Sequence, residues 1–123
     1  MYELMAEETF DAAHALRGYK GSCENLHGHT WRVQIFLKGE ELNNIGLLVD
    51  FREIKNKLKA VVDEFDHKNL NDLKDFKVIN PSSENIARII FEKLKTSLIQ
   101  LEKVTVWESA TTCASYQRGP RLS

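Results

Sequence analysis

The sequence predicts an α+β fold: a four-stranded antiparallel sheet with two helices on one face, in the order ββααββ. Residues 27–38 alternate apolar and polar side chains, which is typical of a strand. Apolar residues then recur at helical spacing in two segments, 51–65 and 86–98. Residues 102–109 and 112–118 are predicted strands, and the short break between them indicates an antiparallel hairpin.

The first two predicted strands flank a loop. Residues 2–13 fit an extended segment, and residues 16–26 contain Gly18 and Gly21 among polar neighbours, as loops do. In residues 27–38, every second side chain is apolar, and these side chains form one face of the strand, which consists of Trp31, Val33, Ile35 and Leu37.

Each predicted helix begins at a recognisable cap. Asp50 is the expected N-cap of the first helix, and Glu53 stands in the capping-box position. Ser82 or Ser83, just after Pro81, caps the second helix. The predicted apolar faces are Phe51, Ile54, Leu58, Val61 and Phe65 in the first helix, and Ile86, Ile89, Ile90, Leu94 and Leu98 in the second.

The composition is that of one ordinary globular domain, which we expect to span residues 1–123. Hydrophobic residues make up 42% of the chain and charged residues 28%. The formal net charge is -1, which argues against a general nucleic-acid binder, because such proteins normally carry a basic excess. The net charge does not argue against a small anionic substrate, because binding one needs only a local cluster of basic side chains.

The cysteine count and the N-terminal segment predict a reduced, cytoplasmic protein. A secreted disulfide scaffold of this size usually has more than two cysteines. The first eight residues lack the basic and apolar regions of a signal peptide. No apolar run approaches the roughly 20 residues that span a bilayer, so we expect no membrane partner.

Three of the four histidines lie where the first two predicted strands meet. His27 and His29 are two residues apart on a strand, so their imidazoles leave the same face. His14 closes the first strand, which can lie antiparallel beside the second. Neutral imidazole is a standard Zn²⁺ ligand, and three protein ligands leave a fourth position open for water or substrate. The pattern therefore predicts a catalytic zinc site.

Two other interpretations of the histidines stay open at this point. Cys23 could supply a fourth ligand, which would make the group a closed, structural zinc site that holds the loop. Alternatively, the histidines are unrelated, because a His-Gly-His tripeptide alone is a weak motif.

Other residues could take part in catalysis. Cys23 is a candidate thiolate base or nucleophile, and the alternative is an ordinary loop cysteine. Asp66 next to His67 can set the tautomer of the imidazole and stabilise its charged form, unless the two form only a solvated pair. Cys113 occupies an apolar position in the last strand and is predicted to lie in the core.

Charged residues near these segments are candidates for substrate binding. Glu108 ends the third long strand, where a carboxylate can accept paired N–H donors from a guanidine-like ring edge. Arg17, Lys20, Lys68 and Arg118 could hold a phosphate chain. For each of the five, an exposed surface charge is the alternative.

Five motifs, in order and nearly from end to end, resemble the 6-pyruvoyl-tetrahydropterin synthase family. They are Phe10-Asp11-Ala12-Ala13-His14, Cys23-x-x-x-His27-Gly28-His29, Asp66-His67-Lys68-Asn69-Leu70-Asn71, Asn80-Pro81-Ser82-Ser83-Glu84-Asn85 and Glu108-Ser109. The family commonly has Pro-Thr-Ser where this chain has Pro81-Ser82-Ser83, a difference that keeps the capping chemistry. The resemblance implies the tunnelling fold, in which subunits join their sheets into a barrel, trimers pair into hexamers and active sites lie between subunits.

The resemblance also implies roles for individual residues. His14, His27 and His29 correspond to the zinc ligands, and Cys23 corresponds to the thiol that abstracts a proton. His67 with Asp66 corresponds to a proton relay. Glu108 corresponds to the carboxylate that binds the amino-pyrimidine edge of the pterin.

The spacing around Cys23 indicates a branch of the family. Three residues separate Cys23 from His27, as in the queuosine-pathway branch, whereas the eukaryote-type synthases have a longer gap. A third branch has glutamate in place of the cysteine, and here Glu24 follows Cys23 directly.

The branch implies a zinc-dependent lyase that converts 7,8-dihydroneopterin triphosphate to 6-carboxy-5,6,7,8-tetrahydropterin, acetaldehyde and triphosphate. One alternative is a 6-pyruvoyl-tetrahydropterin synthase, which acts on the same substrate without carbon–carbon cleavage. Another is a zinc-stabilised binding module without catalytic activity.

Overall fold

The computed structural model describes residues 1–21 and 24–119. Its elements follow the predicted order, with one short addition. The strands are β1 (Tyr2–His14), β2 (His27–Gly39), β3 (Lys68–Asn69), β4 (Leu101–Trp107) and β5 (Cys113–Gln117), and the helices are α1 (Phe51–Val62) and α2 (Ser83–Leu94).

The strands form one sheet in the order β3-β1-β2-β4-β5. The four long strands pair antiparallel, as predicted. The predicted count of four strands was one short, because β3 pairs with Ala12 and Ala13 of β1 in the parallel direction. At two residues, β3 is too short to show the alternation that identifies a strand in a sequence.

The core lies between the sheet and the two helices, which pack on the same face. Helix α1 packs on β1, and α2 packs on β4 and β5. The predicted apolar face of β2 is fully buried, and so are the central residues of both helix faces. These core residues include Trp31, Val33, Ile35 and Leu37 from β2, Ile54 and Leu58 from α1, and Ile86 and Ile90 from α2.

Both helices begin where the sequence predicts. The Asp50 side chain accepts a hydrogen bond from the Arg52 N–H, and Ser82 accepts one from the Asn85 N–H. Glu53 makes an ion pair with Lys57 (2.8 Å) one turn further on, so it forms no capping box. Phe51, in the first turn of α1, is half exposed at the rim of the core. No helix in residues 1–21 and 24–119 is both long and apolar enough to cross a membrane.

The sheet face away from the helices is polar. Gln34 donates to Glu7 (2.9 Å) and accepts from the Trp107 indole (2.9 Å), so one hydrogen-bonded chain links β1, β2 and β4. Cys113 is opposite Trp107 on β5 and shares this polar face, where it is exposed. The prediction of a core position for Cys113 was therefore wrong. Strand β5 begins at Cys113, and the apolar side chain that packs on α2 is Tyr116 against Phe91.

Candidate metal centre

The hairpin of β1 and β2 places three imidazoles side by side. In the register, His14 is opposite His27, and Ala12 is opposite His29. The ring centroid of His14 lies 4.6 Å from that of His27 and 5.2 Å from that of His29, and the ring centroids of His27 and His29 are 4.8 Å apart. His14 is buried, and the other two rings are partly buried. The structure thus brings together the three histidines that the sequence singled out.

Backbone carbonyls determine the tautomers of two rings. The Nδ1 atom of His14 lies 2.7 Å from the Pro81 carbonyl oxygen, and Nδ1 of His27 lies 2.7 Å from the Asn25 carbonyl oxygen. A carbonyl oxygen only accepts, so Nδ1 must carry the hydrogen in each neutral ring. The lone pair then resides on Nε2, which is the arrangement expected of metal-binding histidines with a second-shell acceptor.

The remaining nitrogens fit a bound cation. The Nε2 atoms of His14 and His29 are buried, and neither makes a hydrogen bond of normal geometry among the described residues, although Glu108 Oε1 approaches His29 Nε2 to 3.0 Å. Such atoms normally carry a free-energy penalty of about 1–3 kcal/mol each. One ligand atom from each of His14, His27, His29 and Glu108 lies within 4.8 Å of all the others. This group could hold a metal ion, which would give each buried nitrogen its missing partner, and imidazole suits zinc and related transition metals.

Burial also favours the neutral form of His29. Its pKa is lowered from the usual 6.5, mainly because the ring is removed from water, and the neighbouring His14 and His27 lower it further. The negative charge of Glu108 raises the pKa of His29, but the net effect is still a lowered pKa. A neutral imidazole is the form that binds a metal ion.

Glu108 extends from the end of β4 into the same group. Its Oε1 lies 3.0 Å from His29 Nε2 and 3.6 Å from His14 Nε2. Its Oε2 accepts a hydrogen bond from the Ser83 hydroxyl at 3.2 Å. The carboxylate therefore lies beside the imidazoles, where it could ligate a metal or bind a substrate next to one.

Asp66 and His67 lie apart from this group in the same chain. His67 Nδ1 is 3.0 Å from Asp66 Oδ2, and the His67 ring is 79% exposed. The Asp11 N–H donates to Asp66 Oδ1, and the His67 N–H donates to the Asp11 carbonyl. The Asp11 carboxylate lies within 4.8 Å of side-chain ligand atoms of Asp66 and His67, in a group separate from the three histidines. Asp11 and His14 are three residues apart on β1, so their side chains leave opposite faces of the sheet. One chain therefore does not bring the Asp66–His67 pair to its own three histidines.

The turn at the Asp66–His67 pair is well defined. His67 has a φ of +59°, an unusual backbone conformation for a residue with a side chain. The pKa of the Asp66 carboxyl is lowered, first by the hydrogen bond from the Asp11 N–H and then by His67. Asp66 is thus an anion that can orient and charge-stabilise the exposed imidazole.

The predicted base, Cys23, lies outside the described residues. The structure describes the stem of its loop, which is held by two asparagines. The Asn71 side chain accepts a hydrogen bond from the Ala15 N–H and donates one to the Ala15 carbonyl. The Asn80 side chain accepts from the Arg17 N–H and donates to the Arg17 carbonyl in the same way.

Two of the predicted phosphate-binding residues have other partners. The Arg17 guanidinium donates to the carbonyls of Asn71, Phe76 and Ile79. Arg118 donates to those of Ile99 and Leu101. Lys20 and Lys68 are exposed. The interpretation of Arg17 and Arg118 as surface charges was also incomplete, because both guanidinium groups donate hydrogen bonds to backbone carbonyls of other segments.

Sequence reasoning missed two parts of the site, the Pro81 carbonyl and the Ser83 hydroxyl. Both belong to the Asn80-Pro81-Ser82-Ser83 segment, which was predicted to cap a helix and was not predicted to contact the metal centre. The position of this segment within an ordered family motif was the available signal, but only the tertiary structure shows that it contacts His14 and Glu108.

Comparison with known proteins agrees with the geometry. The family model described as 6-pyruvoyl tetrahydropterin synthase matches residues 3–119. A 6-carboxy-5,6,7,8-tetrahydropterin synthase from Synechocystis is 36% identical, with 100% of this chain and 98% of that protein covered. A dihydroneopterin monophosphate aldolase from Pyrococcus furiosus is 38% identical, over 81% of this chain and 83% of that protein.

A solved structure supports the same relationship. The 6-pyruvoyl tetrahydropterin synthase of Caenorhabditis elegans superimposes with a TM-score of 0.88 at 31% identity, and 96% of each chain is covered. The expected tunnelling fold is thereby confirmed at the level of the subunit. With the family match across residues 3–119, these similarities show that the chain is an enzyme of the 6-pyruvoyl tetrahydropterin synthase family.

Proposed function

We propose that this protein is a zinc-dependent lyase of queuosine biosynthesis. Its substrates would be 7,8-dihydroneopterin triphosphate and one water molecule, and its products 6-carboxy-5,6,7,8-tetrahydropterin, acetaldehyde and triphosphate. The proposal is carried by the grouping of His14, His27 and His29 beside Glu108, in which the Nε2 atoms of His14 and His29 are buried. The identity of 36% with a 6-carboxy-5,6,7,8-tetrahydropterin synthase supports this product.

The three histidines would hold the zinc ion. When bound there, zinc supplies Lewis-acid chemistry that polarises the side-chain oxygens of a pterin and acidifies the adjacent C–H bonds. The carbonyls of Pro81 and Asn25 keep two of the rings in the tautomer that presents Nε2. The metal centre is thus prepared by the backbone before a substrate arrives.

Side chains of the protein would transfer the protons and orient the substrate. The Cys23 thiolate removes a proton from the substrate side chain, and His67 passes a proton on while Asp66 stabilises its charged form. Glu108 accepts N–H donors from the amino-pyrimidine edge of the pterin and so fixes its orientation. General acid–base catalysis of this kind contributes about 10²–10⁴-fold.

The position of His67 supports an active site shared with a second copy of the chain. The His67 ring is exposed and lies away from the three histidines of its own chain. We therefore place each active site between subunits of a trimer or hexamer, where His67 of one copy meets the metal centre of another. Among the described residues, β5 and the part of β1 that precedes its two-residue pairing with β3 lie at the edges of the sheet, and such edges support an assembly because unpaired strand edges invite pairing.

Incubation with 7,8-dihydroneopterin triphosphate tests the proposed reaction. Mass analysis should find 6-carboxy-5,6,7,8-tetrahydropterin together with one equivalent of acetaldehyde. A 6-pyruvoyl product without acetaldehyde would show instead that the enzyme stops before carbon–carbon cleavage. An unchanged substrate in the presence of bound zinc would contradict the proposal.

A second candidate function is an aldolase reaction on dihydroneopterin monophosphate. It is favoured by the aldolase from Pyrococcus furiosus, at 38% identity, and by Glu24, a carboxylate next to Cys23 that could act as the base. Cleavage between the first and second side-chain carbons would release a phosphorylated two-carbon aldehyde. The same assay with the monophosphate as substrate distinguishes the two activities.

A further inference from the structure

Two contacts join the end of β1 and the loop after it to the segment that precedes α2. At the end of β1, His14 Nδ1 lies 2.7 Å from the Pro81 carbonyl oxygen. Further along the chain, the Arg17 N–H donates to Asn80 Oδ1 and Asn80 Nδ2 donates to the Arg17 carbonyl, both at 2.9 Å. The Asn80 amide thus makes the two hydrogen bonds that a residue on a neighbouring antiparallel strand would make. The acceptor for His14 and this amide belong to adjacent residues.

The acceptor for His14 comes from a distant part of the chain, unlike the acceptor for His27. The Asn25 carbonyl that meets His27 Nδ1 lies only two residues away in the sequence. The Pro81 carbonyl lies 67 residues from His14 and reaches it only through the tertiary structure. A side chain that ties the Asn80–Pro81 segment to the residues after His14 would therefore control this contact.

Asn80 is held from both sides. Its side chain binds the main chain of Arg17, and its carbonyl accepts from the side chain of Asn85, in the first turn of α2, at 2.9 Å. The next residue is Pro81, whose ring fixes φ, and the residue before a proline is itself restricted in its backbone conformation. Few rotations remain that could move the Pro81 carbonyl relative to Asn80, so its direction follows the position of Asn80.

The Arg17 side chain strengthens the same joint. Its guanidinium donates to the Phe76 carbonyl at 2.6 Å and to the Ile79 carbonyl at 3.2 Å, both shortly before Asn80. Hydrogen bonds from a charged donor are stronger than those between neutral groups. The main chain and the side chain of Arg17 therefore both bind the segment that ends at Pro81.

We propose that Asn80 is a positioning residue of the metal centre, which binds Arg17 and so keeps the Pro81 carbonyl against His14. An acceptor of this kind fixes the tautomer and the orientation of a metal-binding histidine. Without it, the His14 ring can carry its hydrogen on Nε2 instead of Nδ1, and that tautomer cannot bind a metal through Nε2. The inference rests on the proposed metal centre at the three histidines.

Asn71 offers a matched comparison in the same loop stem. Its side chain accepts from the Ala15 N–H at 2.8 Å and donates to the Ala15 carbonyl at 2.9 Å, so it makes the same pair of bonds as Asn80. Asn71 belongs to a separate segment, Leu70–Asp72, directly after β3. Removal of either amide takes two hydrogen bonds from the stem, but only Asn80 is adjacent to the residue that contacts His14.

The zinc affinity of the full-length protein, measured by competition with a chromophoric chelator, tests the proposal. Asn80→Ala should weaken zinc binding by about 10–100-fold, the usual effect of losing a second-shell partner of a metal ligand. Asn71→Ala should bind zinc as tightly as the wild type. Both variants should lower the Tm of the metal-free protein, because each loses two hydrogen bonds.

A second variant covers the case in which Asn80→Ala does not fold. Asn80→Asp keeps the size of the side chain and the acceptor for the Arg17 N–H, and lacks only the donor to the Arg17 carbonyl. It should also bind zinc more weakly than the wild type. Wild-type affinity in the folded Asn80 variants would overturn the proposal. So would an equal loss of affinity in Asn71→Ala, because the cause would then be a general loosening of the stem.

The zinc measurement uses no substrate, which separates this inference from the proposed reaction. Wild-type protein that binds zinc but does not turn over 7,8-dihydroneopterin triphosphate would contradict the proposed function alone, and the comparison of Asn80 with Asn71 would still decide the role of Asn80. Wild-type protein without affinity for zinc would contradict both.

Discussion

His14 Nδ1 lies 2.7 Å from the carbonyl oxygen of Pro81, which is 67 residues away in the sequence. This contact links the end of β1 to the residue that precedes the cap of α2. It leaves His14 Nε2 buried, directed at the other imidazoles and without a hydrogen-bond partner in the described part of the chain. The metal centre therefore depends on the docking of α2 as much as on the hairpin that supplies its ligands.

Removal of one imidazole should abolish metal binding. His27→Ala takes one of three nitrogen ligands from the group, so the purified variant should contain little zinc and show no turnover. Metal analysis by plasma mass spectrometry gives the content per chain. His67→Ala is the matched comparison and should keep its zinc, because His67 lies outside the group. A fully metallated His27→Ala would refute the ligand assignment.

Loss of the proposed thiolate should separate catalysis from metal binding. Cys23→Ala should keep a full complement of zinc and lose roughly 10²–10⁴-fold in kcat, the usual contribution of a general base. Glu24→Gln tests the neighbouring carboxylate and should retain most activity on the triphosphate. Near-normal turnover by Cys23→Ala would eliminate Cys23 as the base, and a large loss in Glu24→Gln would favour Glu24.

An active site between subunits predicts complementation. His27→Ala and His67→Ala should each be inactive alone, but oligomers assembled from both contain some sites with an intact metal centre from one copy and an intact relay from another. Random mixing in equal amounts should restore roughly a quarter of wild-type activity, since each site draws on two copies. No recovery in oligomers shown to contain both variants would place the whole site within one chain.

Chelation of the metal should leave the fold in place. The apolar core lies between the sheet and the helices, so the apoprotein should keep its far-UV circular dichroism spectrum. Its Tm should fall, because a ligand that binds only the folded state stabilises that state. Global unfolding on chelation would instead support the zinc-stabilised binding module without catalytic activity.

The metal-free protein should lose stability in mild acid through His29. Its pKa in the folded state is below the usual 6.5, so between these two values the unfolded chain binds more protons than the folded one. Stability should therefore fall as the pH drops below about 6.5. Urea denaturation at pH 7.5 and pH 5.5 measures the change. In His29→Gln the difference between the two pH values should be smaller, and an equal difference would exclude His29 as its source.

The sequence predicted the elements whose side chains repeat with a clear period. The alternation from Trp31 to Leu37 identified β2, and the caps at Asp50 and Ser82 located both helix starts. The proximity of His14, His27 and His29 also followed from strand geometry. These features are local, or they need only one assumption about which strands pair.

The errors concern contacts that local patterns do not encode. Strand β3 is two residues long, and its pairing with Ala12 and Ala13 follows a left-handed residue, His67, that no periodicity reveals. Cys113 was assigned to the core because it occupies an apolar position in the predicted last strand, although its register opposite Trp107 places it on the polar face. The contact between Ser83 and Glu108 depends on the tertiary approach of α2 to the end of β4.

Strands β1 and β2 pair without a break, from Tyr2 opposite Gly39 to His14 opposite His27. This continuous register fixes the positions of the three histidines relative to the core. One residue inserted into β2 between His29 and Trp31 would turn His27 and His29 to the opposite face relative to the core. Insertions and deletions should therefore disrupt the metal centre within β1 and β2 and be better tolerated in the segments that flank β2, 15–26 and 40–49. We therefore expect homologues to differ in the lengths of these loops and to keep the spacing from Trp31 to the two histidines.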